Sequence, residues 1–201
     1  MRRRYNHFKK NFGQIIKKIV KPKESEFSFF NLYFEDESRF GLITRNGRSL
    51  TSKGVKPVCQ YLQSFENLWL FGAFSPVNGE HFLLELPNCN SDNFQIWLNK
   101  FSELNPKELK IVVLDNGTFH KAKKLVIPNN IVLVFIPPYC PELNPAEKMW
   151  AFFKRNFINL LCKEMDDISK FISSTVNLLN FQMIKNTCKY EYIELAISDY
   201  F

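Results

Sequence analysis

Short apolar runs separated by turn signals recur along the chain and predict five strands. These runs occupy residues 29–34, 67–75, 81–86, 111–114 and 131–136. The fourth and fifth runs are rich in β-branched residues and show no polar alternation, which is typical of parallel strands buried on both faces. A Pro-Val-Asn-Gly turn signal joins the second and third runs, so the first three strands are expected to form an antiparallel meander.

Apolar residues at helical spacing predict four helices around these strands. The first covers residues 5–20, and Ser91 is the expected N-cap of the second. Asn144 is the expected N-cap of the third helix, and Asp166 or Asp167 that of a final helix. With a further helix expected between the fourth and fifth strands, the order from the first strand onward is βββαβαβα. This order predicts an α/β protein of the RNase H-like class, with a mixed five-stranded sheet flanked by helices.

Three acidic residues stand where these predicted elements end or begin. Asp36 follows the first strand, Asp115 ends the strand over residues 111–114, and Glu147 lies in the first turn of the third helix. If the first strand runs parallel to residues 111–114 and beside them, the three carboxylates converge at one edge of the sheet. Such carboxylates repel one another unless cations lie between them, and Mg²⁺ prefers oxygen ligands of this kind.

Each of these acids also has a purely structural interpretation. Neighbouring residues of a strand point to opposite faces, so the residues alone do not decide which acid of residues 35–37 faces a metal, and one of them could be a solvated strand end. Asp115 begins an Asp-Asn-Gly sequence of the kind that forms turns. Glu147 stands three residues after Asn144, the spacing of a capping box, which contributes about 1 kcal/mol and implies no catalysis.

The motifs as a whole resemble those of the mariner-like DDE transposases, in particular their bacterial insertion-sequence branch. The matching stretches are EDE, a segment containing GxxP, DNxxxH and PPYxPxLNPxExxW, and the resemblance covers about residues 29–155. It implies that Asp36, Asp115 and Glu147 are the catalytic and metal-binding triad. The last two acids are 147 − 115 = 32 positions apart, in keeping with the family's pattern.

The resemblance also implies a chemistry. Two Mg²⁺ or Mn²⁺ ions would support hydrolysis at the ends of a mobile element, followed by attack of the freed 3′-hydroxyl on target DNA, expected at TA dinucleotides. Asn116, His120, Tyr139 and Asn144 match family positions and are expected to support the site. For His120 the possible roles are to orient a phosphate, to protonate a leaving group or to cap a helix. Tyr139 is expected to shape the loop that delivers the third acid.

The positive charge of the chain is concentrated at its N-terminus. The 201 residues carry 27 Lys and Arg against 20 Asp and Glu, a formal charge of +7. Residues 1–23 hold nine Lys or Arg and no acid, which leaves 7 − 9 = −2 for the remainder. We therefore predict a basic amphipathic arm over residues 1–25 and a catalytic domain over residues 26–201. Lys17 and Lys18 are expected to contact DNA phosphates, although the apolar face of the helix could equally be part of the core.

A second basic segment follows the first strand. Residues 41–57 are polar and contain several glycines, and they carry Arg45, Arg48, Lys53 and Lys56. This composition predicts an irregular loop or hairpin. The corresponding segment of similar transposases lies close to DNA, so these four side chains are candidate DNA contacts, with a simple solvated loop as the alternative.

Composition narrows the class of protein further. Hydrophobic residues make up 45% and aromatic residues 15% of the chain, which is typical of a folded domain. The five cysteines show no metal-ligand spacing, and there is neither an apolar run near 18 residues nor a signal-peptide core. We expect a protein with reduced thiols and no membrane partner, located in the bacterial cytoplasm and associated with the nucleoid.

One departure from the family pattern concerns the N-terminus. Members usually carry helix-turn-helix domains that recognise the element ends, whereas here about 28 residues precede the first strand. The chain is therefore expected to work with a separately encoded helix-turn-helix half, or to be a truncated copy.

Double-stranded DNA and a second copy of the chain are the other expected partners. The alternatives are an RNase H-like nuclease that does not transpose and an inert DNA-binding remnant. Residues 189–201 have no assigned role.

Overall fold

A mixed five-stranded sheet forms the centre of the protein, in a computed structural model that describes residues 2–48 and 50–198. The strands are β1 (Phe29–Gly41), β2 (Asn67–Phe74), β3 (His81–Leu86), β4 (Glu108–Leu114) and β5 (Ile131–Phe135). Their order is β3-β2-β1-β4-β5, with β1, β2 and β3 antiparallel and β1, β4 and β5 parallel. The predicted meander and mixed sheet are confirmed.

Helices cover both faces of this sheet. They are α1 (Arg2–Val20), α2 (Ser91–Glu103), α3 (Ala146–Phe157), α4 (Met165–Val176), α5 (Phe181–Thr187) and α6 (Glu191–Ile197). On one face, α2 buries Phe94, Trp97 and Phe101 against the sheet. On the other face, α1 and α3 to α6 share a single larger hydrophobic cluster with the sheet. Helices on both sides explain why every residue of β4 is buried.

Strand β1 is longer than its apolar run predicts. It continues 41 − 34 = 7 residues beyond Phe34, the last residue of that run, because its other edge keeps pairing with β2. Pairing with β4 stops at Phe34, opposite Val113. The acids of residues 35–37 therefore lie inside a strand, and the prediction that they follow a strand end was wrong. They still stand just after the last residue of β1 that pairs with β4.

The connection between β4 and β5 differs from the predicted helix. Over residues 115–130, all of which are described, the backbone forms only a short 3₁₀ turn at Phe119–Lys121. The Asp115 side chain closes a tight turn with the Gly117 N–H, and Pro128 lies just before β5, so little uninterrupted sequence is left for a helix.

Three predicted helix caps are displaced by one or more residues. Pro145, not Asn144, is the N-cap of α3, although the Asn144 Oδ1 accepts from the Ala146 N–H. Asn90, not Ser91, is the N-cap of α2, and its Oδ1 accepts from the Asn93 N–H at 2.9 Å. Glu164 is the N-cap of α4, where it forms a capping box with Asp167 as the third helical residue. In α2 and α4 the true cap has the extended backbone that a cap requires. Asp166 lies within α4 as well, so the predicted caps of that helix were wrong.

The predicted final helix, α4, is followed by two further helices: α5 lies before the segment 189–201 that had no assignment, and α6 lies within it. Tyr192 of α6 lies edge-on to Phe12 of α1, with ring centroids 5.3 Å apart. Phe8 and Ile16 of α1 are buried in the same cluster. The apolar face of α1 is thus part of the core, and the boundary predicted near residue 25 stays a prediction. Residues 199–201 lie outside the described part of the chain.

None of the helices within residues 2–48 and 50–198 combines the length and the apolar character that a membrane span requires.

Candidate active site

The sheet register brings two of the predicted acids to the same place. Phe34 of β1 pairs with Val113 of β4, and Asp36 and Asp115 each stand two residues further along. Because the two strands are parallel, both carboxylates leave the sheet at the same edge. Asp36 is half-buried, whereas the Asp115 side chain is 56% exposed. The site is therefore open to a ligand from the side of Asp115.

The third acid, Glu147, lies in the first turn of α3. The Asn144 side chain fixes this turn to the sheet, because its Nδ2 donates to the Glu35 carbonyl oxygen at 2.7 Å and its Oδ1 accepts from the Ala146 N–H. The capping-box alternative for Glu147 is not realised, since the Asn144 N–H donates to the Pro141 carbonyl oxygen instead. The Glu147 carboxylate is left exposed near the two aspartates.

The electrostatics of the site show that the three acids affect one another. Burial and the charges of Glu37, Glu147 and Asp115 raise the pKa of Asp36 well above its usual range. Partial burial and Asp115 likewise raise the pKa of Glu147. The three predicted acids therefore influence one another electrostatically, and their role as a shared metal-binding triad stays a prediction.

Asp115 has the opposite environment. A hydrogen bond with His120 is the main reason that the pKa of Asp115 is lowered, and the Gly117 N–H adds to it. The same oxygen, Oδ1, takes both contacts, at 3.0 Å from His120 Nδ1 and 2.7 Å from the Gly117 nitrogen. Within the described part of the chain, the other oxygen, Oδ2, has no hydrogen-bond partner, so it remains available to a metal ion.

Two acids on the other face of β1 also belong to the site, and sequence reasoning left them undecided. Glu37 Oε1 lies 2.8 Å from His120 Nε2, and Glu35 Oε2 lies 3.7 Å from the same nitrogen. Burial, together with Glu37 and Asp36, raises the pKa of the fully buried Glu35. Neither residue is a solvated strand end. Strand alternation placed both on one face, but only the fold shows that the face meets His120.

The donor set fits hard divalent cations. Asp36, Asp115 and Glu147 offer carboxylate oxygens, the ligands that Mg²⁺ and Mn²⁺ prefer. The pKa values of Asp36 and Glu147 are raised and the Asp115 side chain is exposed, and among the described ion pairs none of the three acids contacts a lysine or an arginine. Divalent cations would offset both the burial and the carboxylate repulsion that raise the pKa of Asp36. A metal site at this sheet edge is therefore consistent with the residues present.

Comparison with known proteins identifies the family. Residues 31–169 match the family model described as DDE superfamily endonuclease. The chain belongs to the DDE superfamily endonucleases. Over 102 residues, 50% of this chain and 76% of the relative, it is 36% identical to the uncharacterized protein y4pE/y4sA of Sinorhizobium fredii (strain NBRC 101917 / NGR234).

Solved structures show the same fold. The chain superposes on a pre-cleavage Mos1 transpososome with a TM-score of 0.64 at 13% identity, covering 95% of this chain and 61% of that one. On the Mos1 strand transfer complex it superposes with a TM-score of 0.62 at 17% identity, covering 96% of this chain and 61% of that one. On the isolated catalytic domain of Mos1 mariner transposase the TM-score is 0.59 at 14% identity, covering 95% of this chain and 91% of that one. This DDE endonuclease chain thus has the predicted RNase H-like fold and spans about three-fifths of the longer Mos1 chains.

In this DDE endonuclease, the helix α3 is held against the sheet at a glycine. A Cβ atom added to Gly72 of β2 would lie 2.6 Å from Trp150 Cη2, so Trp150 packs where no side chain stands. Gly72 pairs with Asp36, and Trp150 lies one turn after Glu147. This close approach places the first turns of α3 over the part of the sheet that carries Asp36.

The remaining supporting residues have distinct positions. The Asn116 side chain donates to the Ile136 carbonyl oxygen and accepts from Lys121, so it ties the loops after β4 and β5 together. Tyr139 is 82% exposed and has a φ of 60°, a left-handed conformation that is strained for a bulky residue. Strain of this kind is often found at functional sites. Tyr139 stands in the loop between β5 and α3, as expected.

The basic loop after β1 is long and has a fixed base. Backbone hydrogen bonds from Leu42 to Glu66 and from Thr44 to Leu62 close its base, and Asn159 holds Arg45 and Gly47. Beyond them, the described residues of the loop form neither helix nor strand. Four of its basic side chains belong to exposed residues: Arg45, Arg48, Lys53 and Lys56. The predicted irregular loop is confirmed, and the role of its charges stays a prediction.

Basic residues of α1 line a groove that reaches the loop between β5 and α3. Arg3, Arg4 and Lys18 form its polar rim, and Phe8 and Pro137 form part of its apolar floor. Lys17 and Lys18 are exposed on the side of α1 that faces away from the core. Pro137 is two residues before Tyr139, so this groove borders the loop between β5 and α3.

Proposed function

We propose that this chain is the catalytic core of a DDE transposase, which cleaves DNA and transfers the cleaved strand in the presence of divalent metal ions. The observation that carries the proposal is the mutual electrostatic influence of Asp36, Asp115 and Glu147 at one sheet edge. Family membership supports the reaction class, and the fold is that of the Mos1 transposase structures.

Asp36, Asp115 and Glu147 would hold two Mg²⁺ or Mn²⁺ ions, which when bound activate the attacking oxygen and stabilise the leaving oxygen. Mos1 paired end complexes have been solved with Mn and with Mg. The protein's own contribution is to preorganise the ligands. β1 and β4 fix the two aspartates, and Asn144 holds the start of α3, and with it Glu147, against β1.

The proposed substrate is double-stranded DNA, both the element ends and a target, for which TA is the expected dinucleotide. The basic groove along α1 and the exposed Arg45, Arg48, Lys53 and Lys56 support this substrate, because phosphate contacts supply most sequence-independent affinity. Such an enzyme would act at the bacterial nucleoid. A separately encoded helix-turn-helix half is the proposed source of end recognition.

A second copy of the chain is the proposed protein partner. The basic loop after β1 carries apolar side chains that are almost fully exposed, with Leu50 at 104% and Val58 at 99%. Large apolar side chains grouped on a projecting loop are typical of a protein interaction site. A homodimer on DNA would cover them.

The test is incubation with supercoiled plasmid and Mg²⁺ or Mn²⁺. The wild-type chain is expected to nick or linearise the plasmid, and joined products are expected when a cleaved 3′ end is supplied. Asp115→Asn should remain folded by circular dichroism and lose cleavage. Glu103→Gln, which removes an exposed acid at the end of α2, is the matched control and should retain it.

Three results would contradict the proposal. Cleavage by Asp115→Asn would rule out the acid triad as the catalytic centre. Cleavage without joined products would indicate a nuclease that does not transpose. DNA binding with no metal-dependent cleavage by the wild type would indicate an inert remnant.

A further inference from the structure

We propose that Glu37 and His120 form a positioning pair that holds the Asp115 carboxylate in the orientation required for metal binding; this rests on the proposed function of Asp115 as a metal ligand. Neither residue would touch the metal or the DNA. Their effect would pass through Asp115 alone.

The geometry is a continuous chain of contacts from β1 to the end of β4. Glu37 Oε1 lies 2.8 Å from His120 Nε2, and His120 Nδ1 lies 3.0 Å from Asp115 Oδ1. The Gly117 N–H donates to the same Asp115 oxygen at 2.7 Å. Two contacts on one oxygen restrict the rotation of the carboxylate, and they leave Oδ2 without a hydrogen-bond partner among the described residues of a side chain that is 56% exposed.

The His120 ring is itself rigidly placed. Its side chain is 1% exposed, and its centroid lies 4.6 Å from that of Phe94 and 4.0 Å from that of Phe119. A buried imidazole with a carboxylate at each nitrogen has no N–H left for a phosphate or a leaving group. The roles considered from sequence, to orient a phosphate or to protonate a leaving group, therefore fit the structure less well than positioning does.

The pair also links the two strands that carry the aspartates. Glu37 follows Asp36 directly on β1 but points to the opposite face, toward His120. Movement of the end of β4 relative to β1 would stretch the Glu37–His120 contact. Groups that hydrogen-bond to metal ligands in this manner commonly alter metal affinity 10–100-fold when they are removed.

A different occupant of the same place is a metal ion bound by Glu35, Glu37 and His120, whose candidate ligand atoms lie within 4.8 Å of one another. The positioning pair fits better, because the 2.8 Å contact already satisfies Nε2 and the Glu35 oxygen is more distant, at 3.7 Å. The number of ions bound separates the two interpretations.

The experiment measures Mn²⁺ binding to the full chain without DNA, by calorimetric titration with the number of sites fitted. The variants are His120→Ala, Glu37→Ala and their double variant, with His120→Asn and Glu37→Gln as conservative replacements that keep a hydrogen-bonding group. Asp115→Asn is the reference for a lost ligand. Leu98→Ala, a core change on α2, is the control for lost stability without a change at the pair.

We expect both alanine variants to weaken Mn²⁺ binding by about 10–100-fold with unchanged stoichiometry. The double variant should be no weaker than His120→Ala, because the two residues act through one contact. His120→Asn should recover part of the affinity, since its amide can still donate toward Asp115. Leu98→Ala should lower the unfolding temperature and leave the affinity unchanged.

Unchanged Mn²⁺ affinity in folded His120→Ala, with weaker binding in Asp115→Asn, would overturn the positioning pair alone. Loss of one bound ion in the His120→Ala and Glu37→Gln variants would overturn it in favour of a metal at Glu35, Glu37 and His120. If the wild type shows no Mn²⁺ binding that depends on Asp115, the proposed function fails, and the pair fails with it.

Discussion

At the scale of single residues, the acids of the site differ in how readily they carry charge. Burial and neighbouring carboxylates raise the pKa of Asp36, whereas the hydrogen bond from His120 lowers that of Asp115. The lowered pKa of Asp115 favours its ionised form, whereas the raised pKa of Asp36 makes ionisation of that carboxyl costly within the metal-free fold. In the absence of metal, ionised Asp36 is a source of repulsion within the folded chain.

Replacing Asp36 should consequently stabilise the metal-free protein. We expect Asp36→Asn to raise the free energy of unfolding in the presence of a chelator by about 0.5–2 kcal/mol, because it removes a carboxylate from an acidic and partly buried place. The same variant should lose the stabilisation that Mn²⁺ gives the wild type. Urea unfolding with and without Mn²⁺ measures both effects.

The exposed Glu24→Gln change is the matched control and should alter neither value. Destabilisation by Asp36→Asn in chelator would show that the carboxylate has favourable partners in the folded state, contrary to the repulsion described above.

Sequence reasoning found the three acids because each stands beside an element boundary that hydrophobic pattern and motif both define. It did not find the role of Glu37, because the contact with His120 joins residues 83 positions apart. Strand alternation shows that Glu35 and Glu37 share a face, but it does not say which side chain covers that face. Such contacts depend on how the loop after β4 folds, and that loop has no periodic pattern.

At the scale of elements, the distance between α3 and the sheet controls the geometry of the site. Trp150 of α3 occupies the space above Gly72, directly beside Asp36. The indole also lies edge-on to Phe74, with ring centroids 5.5 Å apart, so the packing leaves little freedom. A side chain at Gly72 would push α3 outward and carry Glu147 with it.

Gly72→Ala tests this dependence. The added methyl group should cost about 1–3 kcal/mol in stability through overpacking, and it should weaken Mn²⁺ binding because Glu147 moves away from Asp36. Adding Trp150→Phe, which removes the indole atoms that would clash, should restore part of the affinity. Calorimetric Mn²⁺ titration and urea unfolding of both variants make the comparison. An unchanged Mn²⁺ affinity in Gly72→Ala would show that the approach of α3 does not set the site.

A lysine on α3 gives the protein a specific pH dependence. Burial, with added repulsion from Arg45 and Arg39, lowers the pKa of Lys154 to about 8. The folded chain therefore binds fewer protons than the unfolded chain between about pH 8 and the ordinary lysine range. The contribution of this residue to stability is lowest at neutral pH and rises as the pH increases through that window.

Lys154→Met should thus stabilise the protein at pH 7, by an amount on the order of 1 kcal/mol, and the gain should shrink as the pH approaches 10. Urea unfolding at several pH values measures the trend. Lys123→Met, at an exposed residue, is the control and should show no such trend. A gain that is constant with pH would contradict the proposed protonation difference.

The elements that were predicted poorly share a physical reason. β1 runs on past its apolar residues because β2 supplies hydrogen bonds, and a pairing partner cannot be seen in the hydrophobic pattern of one strand. The cap of α4 is Glu164, a residue type that rarely leads this position, and its use depends on Asp167 completing the box. Elements with strong periodic patterns, such as α2 and α3, were predicted within a few residues.

At the scale of the whole molecule, the basic N-terminal helix is both a core element and a charged surface. Phe12 of α1 is buried between Phe34 of the sheet and Tyr192 of α6. Removing residues 1–20 would expose that cluster, so such a deletion would test folding and not DNA binding. The charges of α1 must be tested by substitution on its exposed side.

The double variant Lys17→Gln/Lys18→Gln should keep the fold and weaken binding to all double-stranded DNA sequences alike. If each lysine neutralises one phosphate, the slope of log affinity against log salt should become less steep by about 1 per lysine. Fluorescence anisotropy at several salt concentrations measures the slope. The control Lys100→Gln/Lys107→Gln makes the same charge change near the start of β4, at the opposite sheet edge, and should leave the slope unchanged. Equal slopes for the Lys17/Lys18 variant and the wild type would show that α1 serves the core alone and that DNA follows a different path to Asp36, Asp115 and Glu147.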